Sequence, residues 1–403
     1  MDKKILIAIV AVVVVAAAVV TVFAMNNDDD DSSGSGADYV SLGLTNNFFP
    51  EHTCCVVAAN YNYIHNNPIG VEKFLAGYYD SVQYINGVLA DPDSQEYADL
   101  VSFTKSKVPG LTDKEVKDAL GTITYLYADS SDGSLSTLKN DMKTLIADLN
   151  SVGALKKEVS NVDGFVNNYV DDTYLTTAIS NKESLKGGSN SVTVAVISGD
   201  IHQIAIHVGI DKGFFREYGT SVTISNATNG GGIATSLING DSSIGFLGAP
   251  PATINMINQG YITSDEVKDK AFNLVARVNS EGSGLFIKSS VLDDSDSDVP
   301  MRKGVAFYSV SDGRFTVSSE NAAAWGGLIF STPGTTSIQH IQLMTLAKNL
   351  GLKTQAYLAG ESTSNDTIYY VTNLANYQQI VADPSINAGI IWEPQYQRVI
   401  QES

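Results

Sequence analysis

Between Val192 and Leu247 the chain alternates β-branched runs with amphipathic stretches, and this alternation restricts the fold more than any other feature. Val192 to Ile197 (VTVAVI) is bounded by polar residues, as a buried strand is. Gln203 to Tyr218 reads as a helix closed by Gly219. Ser221 to Ile224 is the next strand, and a glycine-rich turn at Asn229 to Gly232 opens a helix from Ile233 to Ile238. Ile244 to Leu247 is a strand again, followed by a helix from Pro251. Strand alternating with helix predicts an α/β fold with a mostly parallel sheet.

The region from Tyr61 to Leu185 is helix-rich. Phe74, Leu75, Tyr78, Tyr79, Val82, Ile85 and Leu89 fall on one helical face. Thr112 and Glu115 have capping-box spacing ahead of a helix from Asp113 to Tyr127. Leu135, Leu138, Met142, Leu145, Ile146 and Leu149 form a third apolar stripe, closed near Gly153. These stripes are core surfaces and carry no chemistry. Lys186 to Asn190 (KGGSN) is a polar, glycine-rich joint, while Asp293 to Val299 and Ser309 to Asn321 read as a surface insertion. Asn226 and Asn365 each open a glycosylation sequon, meaningful only on an exported chain.

An apolar run of 21 residues, Ile5 to Met25, follows Lys3 and Lys4 and precedes Asp28 to Asp31. Its length matches a bilayer core, and the charge order leaves the remainder outside the cell. We read residues 1–25 as a transmembrane anchor, with a signal peptide cut after Ala24 as the alternative, and residues 26–37 as an acidic Gly/Ser tether. The formal charge of −19 argues against nucleic acid as a partner. The only cysteines, Cys54 and Cys55, are adjacent, so no ordinary disulfide staples the fold. They read as buried thiols in a strand; a vicinal disulfide or a metal site with His52 is the sharper alternative. Three ligands on alternating faces of one strand disfavour the metal.

Five blocks in order resemble the nitrate/sulfonate/taurine-type ABC solute-binding proteins, relatives of the thiamine-precursor binders. They are VAVISGDIHQIAIHVGIDKGFFREYG, SLINGDSSIGFLGAPPA, LVARVNSEGSGLFIK, WGGLIFSTPGTTSIQHIQLMTLAKNLGLK and NAGIIWEPQYQRV. The family's C-terminal pieces resemble FFPEHTCCVVAANYNYI and NPIGVEKFLAGYYDSVQYING, which here stand at the front. The resemblance therefore implies a circular permutation, with KGGSN tying the old ends together and Asp38 near Ser403 in space. It implies a type II, periplasmic-binding-protein-like fold, with lobe one at 61–285 and lobe two at 38–60 plus 286–403. Cys55 to Ala59 and Gly284 to Lys288 would be the hinge strands. The implied activity is capture of a small polar or anionic ligand for an ABC permease and its ATPase, by a membrane-tethered monomer. No enzyme activity, cofactor or metal is implied.

Ligands of open α/β sheets bind beyond the carboxyl ends of the strands. Ser198, Gly199, Asp200 and His202 follow the first strand. Gly248, Ala249 and Pro250 follow another, with small residues that let backbone approach a ligand. Thr335, Thr336 and Ser337 precede a helix and offer hydroxyls and free N–H groups to an anion, or simply cap it. Trp392 and Glu393 follow a buried strand, Glu281 and Gly282 precede a hinge, and His52 precedes the cysteines. Asp200 and Glu393 would suit a cationic part of the ligand and the Thr/Ser loop an anionic part, so a zwitterion is the expected ligand. The competing readings are an enzyme on the same fold, making a pyrimidine or menaquinone precursor, and a ligand sensor without a transporter.

Overall fold

The computed structural model describes residues 38–50, 52–151, 153–259, 271–293 and 299–402. The expected anchor (1–25) and tether (26–37), most of the acidic stretch from Asp293 to Val299, and Ser403 lie outside these residues. Among the described residues no helix is long and apolar enough to cross a membrane.

Two six-stranded sheets organise a mixed α/β chain. With strands numbered along the chain, the first sheet has the order β3 (Ile123–Tyr125), β7 (Phe272–Glu281), β2 (Thr53–Asn60), β6 (Ile244–Gly248), β4 (Asn190–Ile197), β5 (Thr220–Ala227). The second has the order β1 (Tyr39–Leu44), β8 (Ser283–Lys288), β16 (Ala388–Trp392), β13 (Ile329–Ser331), β15 (Thr367–Val371), β14 (Lys353–Ala356). The other strands form two hairpins, β9 (Met301–Arg302) with β10 (Val305–Ala306), and β11 (Ser309–Ser311) with β12 (Arg314–Thr316). The β11–β12 hairpin is largely exposed, as expected of an insertion, although Phe315 stacks on Tyr308.

The expectation of a mostly parallel sheet holds only in part. β4 runs parallel to β5 and β6, and β15 parallel to β13 and β14, with β13 also parallel to β16, while the other pairs of both sheets are antiparallel. Each sheet also holds interior strands that oppose both neighbours. In the first sheet they are β2, between β6 and β7, and β7, between β2 and β3; in the second it is β8, between β1 and β16. The chain reaches β2 from β1 through residues 45–52, and reaches β8 from β7 through Gly282 alone. These are the two crossings between the sheets.

The crossings correct the expected boundaries. Cys55 to Ala59 is no hinge strand: β2 is a central member of the first sheet, and all eight of its residues are buried. Gly284 to Lys288 lies wholly in the second sheet, so the change of sheet falls at Gly282. Two helices also differ from expectation. The one from Asp113, α2 (Asp113–Thr122), stops early because Ile123 to Tyr125 joins the sheet edge as β3 beside β7. The stretch from Gln203 to Tyr218 breaks at Gly213, whose φ of 80° ends α4 (Ile204–Lys212).

The first sheet is covered by α1 (Pro68–Leu89), α3 (Ser136–Ser151), α4 and α5 (Ala249–Gln259), whose apolar stripes share its core. Phe74, Leu75, Tyr78, Val82 and Ile85 are fully buried, while Tyr79 and Leu89 are half-buried. Thr112 and Glu115 make the expected capping box. In the second sheet the alternation of β8 separates two cores. Leu285 and Ile287 face α6 (Ile338–Leu350), and Phe286 faces α7 (Gln395–Glu402) with Tyr396 and Val399. Each such buried side chain contributes roughly 2 kcal/mol. α7 also reaches the first body, where Arg398 pairs with Glu115 and Gln401 donates to Asp118 at 3.0 Å. The Tyr396 hydroxyl donates to Ser41 on β1, so the final helix packs beside the first described strand.

Candidate functional site

Where β4 ends, the chain turns at Ser198 and Gly199, and Gly199 adopts a φ of 73°. Asp200 then accepts from the backbone N–H of His202 at 3.0 Å and from Gln203 Nε2 at 3.0 Å. Gln203, with no exposed surface, also accepts from Ile197 N–H and donates to Phe246 O, so one carboxamide binds the ends of β4 and β6 together. His202 is 3% exposed and lies between two acceptors: Asp200 Oδ1 is 2.8 Å from its Nδ1, and Gly282 O is 3.0 Å from its Nε2. Both ring nitrogens must donate, which describes an imidazolium. Burial alone would lower its pKa, but the charge and hydrogen bond of Asp200, with Cys54 and the Gly282 carbonyl, push it up to about 9.

The second body approaches the same oxygen. β16 ends at Trp392, and the Glu393 N–H donates to Gly282 O at 2.9 Å. The Glu393 carboxyl is 1% exposed and accepts from the Thr122 hydroxyl at 3.1 Å and Gln397 Nε2 at 3.2 Å. Burial pushes its pKa up to about 7, against the hydrogen bonds from Gln397 and Thr122 and the positive charge of His202. Gly282, at a φ of 82°, leaves no room for a side chain: a Cβ would stand 2.4 Å from His202 Nε2 and 2.8 Å from Ile123 Cγ1. The next residue, Ser283, receives a hydrogen bond from Gln339 Nε2 at 2.9 Å, which brings the N-terminal turn of α6 to this junction.

Across the first sheet, Cys55 stands opposite Gly248 on β6 and Asn279 on β7. Both thiols are free and buried, as expected, and Cys54 interacts with the charges of Asp200 and His202. A hydrogen bond from Cys55 holds Cys54 below the ordinary thiol range, while the same bond and burial push Cys55 up. Asn279 has no exposed surface, and its Oδ1 is without a partner.

The structure thus gathers Asp200, His202, Glu281, Gly282 and Glu393 around one crossing, while Gly248 lies across β2 from Asn279. Ala249 and Pro250 are buried in the first turn of α5 and present no side chain outward. Ser198, Thr335 and Thr336 are exposed, Trp392 is half-buried, and Ser337 caps α6 through the N–H of His340 at 3.2 Å. His52 precedes Thr53, which pairs with Ser280 across β2 and β7. The His52 Nδ1 bonds Phe49 O at 2.7 Å, and Nε2 is buried without a partner. Burial lowers its pKa to about 4, with Arg277 adding to the effect against the Phe49 bond. One expectation is corrected: Asp200 and Glu393 do not offer free charge to a cation. Asp200 is bound by His202, and Glu393 is held toward its neutral form. Neither the depression lined by Tyr84, Phe103 and Asp211 nor that along residues 179–184 contains an expected site residue.

Sequence reasoning missed Thr122, Gln339 and Gln397. Gln397 had a signal, its i+4 spacing from Glu393; Thr122 had none, since nothing local places it against a residue 271 positions away. Among the described residues no group of three or more His, Cys, Asp or Glu side chains could hold a metal ion. No family model, curated protein or solved structure matches the chain.

Proposed function

We propose that the chain is an extracytoplasmic solute-binding protein of type II architecture. Its two bodies act as lobes that close on a small polar or anionic ligand for an ABC importer. The observation that carries this reading is the junction at Gly282. Loops from the carboxyl ends of β4 and β16 meet there, beside one of only two chain crossings among the described residues. A rotation about Gly282 and residues 45–52 would separate the bodies without breaking either sheet. His202, as an imidazolium bonded to Gly282 O, and the first turn of α6, bonded to Ser283 through Gln339, place positive potential beside the crossing, which favours an anion over a cation. The zwitterion expected from free carboxylates is therefore set aside in favour of an anionic or neutral polar ligand. The circular permutation remains part of this reading and is supported by the packing of α7 beside β1.

Calorimetry against nitrate, taurine, alkanesulfonates and pyrimidines, paired with small-angle scattering, tests the proposal. We expect an anionic member to bind and to reduce the radius of gyration. Silence across the panel, together with an unchanged radius, would remove the reading.

A further inference from the structure

We propose that Cys54 and Cys55 form a redox-active vicinal dithiol, which small-molecule disulfides oxidise to a disulfide within the chain. Neighbouring residues of a regular strand point to opposite faces, yet these two sulfurs are 3.8 Å apart. The cause is an irregularity in β2. Its pairing with β7 changes register between Thr53 and Cys55 and again between Cys55 and Val56. Such a bulge re-aims side chains, and here it turns two thiols toward one another. Asn279, opposite Cys55, supplies an independent sign that this spot is chemically unfinished: its Oδ1 is fully buried and without a partner, an arrangement that costs free energy and marks sites of function. After the hydrogen bond from Cys55, the positive charge of His202 and the polar side chain of Asn279 both help to hold the Cys54 thiol below its ordinary range.

The exchange balances in two steps. The Cys54 thiolate attacks one sulfur of R–S–S–R, forming Cys54–S–S–R and expelling RS⁻, which takes up the proton Cys54 has lost. Cys55, deprotonated in turn, attacks the Cys54 sulfur of that mixed disulfide. A second RS⁻ leaves and takes the Cys55 proton, so two thiols are oxidised and one disulfide is reduced to two RSH. Cys54 and Cys55 are only 4% and 7% exposed, so the first attack requires an opening beside Gly248 and Asn279. The inference holds whether or not the site takes a solute.

The test incubates the full chain with oxidised glutathione, unfolds it, alkylates it and measures the intact mass. We expect both thiols to be lost together, with a mass lower by two hydrogen atoms, no retained glutathione, and full recovery on treatment with dithiothreitol. C55S, checked for folding by circular dichroism, should instead stop at a glutathione adduct on Cys54, whereas C54S should stay reduced. A persistent adduct in the wild type, disulfide-linked dimers, or two thiols still alkylatable after prolonged incubation would each overturn the proposal.

Discussion

His202 and Glu393, one from each body, donate to the same oxygen. The imidazole Nε2 of one and the backbone N–H of the other lie 3.0 and 2.9 Å from Gly282 O. A carbonyl has two lone pairs, so both bonds can be made in full. The arrangement ties the loop after β4, the crossing residue and the loop after β16 into one unit.

The His202–Asp200 pair makes stability depend on pH. Because the folded pKa of His202 is raised to about 9, its contribution is fully present below pH 6.5 and is lost as pH rises through 9. H202Q strips the charged partner from partly buried Asp200, and should cost about 2 kcal/mol at pH 6. Urea denaturation at pH 6, 8 and 10 checks this, and the gap between variant and wild type should shrink with pH.

Glu393 acts in the same direction over a lower window. Its folded pKa, raised to about 7, favours the protonated form, so stability is lost as pH rises from its ordinary value through 7. E393Q removes that loss. It should be nearly neutral at pH 5 and stabilising by about 1–3 kcal/mol at pH 8. Thermal melts of both proteins across this range would reveal an opposite trend, if the carboxyl is in truth held as a charge.

Gly282 and Gly199 share a positive φ but differ in surroundings. At Gly199 a Cβ meets nothing within 4 Å, whereas at Gly282 it meets His202 and Ile123. G199A should therefore cost only about 1 kcal/mol of backbone strain. G282A should cost about 2–4 kcal/mol, since overpacking adds to the same strain. Chemical denaturation of the two variants side by side separates the terms.

Arg398 on α7 and Glu115 on α2 join the two bodies and are both largely buried. R398A strands a buried carboxylate and should cost about 3 kcal/mol, and E115Q a similar amount. The double variant should recover part of the loss. A double-mutant cycle by calorimetric unfolding measures the coupling, and strictly additive costs would count against a direct pair.

The alternation after Val192 made the parallel strands legible, because each buried run carries its own boundary residues. β4, β5 and β6 stand within a few residues of where the pattern put them. The strand at β2 was legible, but the sheet it joins was not. All eight residues of TCCVVAAN are buried, and an apolar run such as Cys54 to Ala59 does not declare which sheet buries it. The site residues at Asp200, Gly248, Gly282 and Glu393 could be named because strand ends and glycines mark them. Their partners Thr122 and Gln339 could not, since long-range hydrogen bonds leave no periodicity in the chain. The sequence also suggested free carboxylates, because burial and pairing are properties of the assembled sheet rather than of residue type.

The placement of β1 beside β8 bears on the order of assembly. On the ribosome, β1 emerges first and must wait while more than two hundred residues are made before its neighbour exists. Meanwhile β2 through β7 can complete the first sheet, so the earlier-made body is finished while the later one still lacks a strand. Until β8 arrives, β1 is an unpaired edge of the kind that recruits other chains. Agents that shield nascent edges should raise the yield of native protein more than agents that stabilise helices.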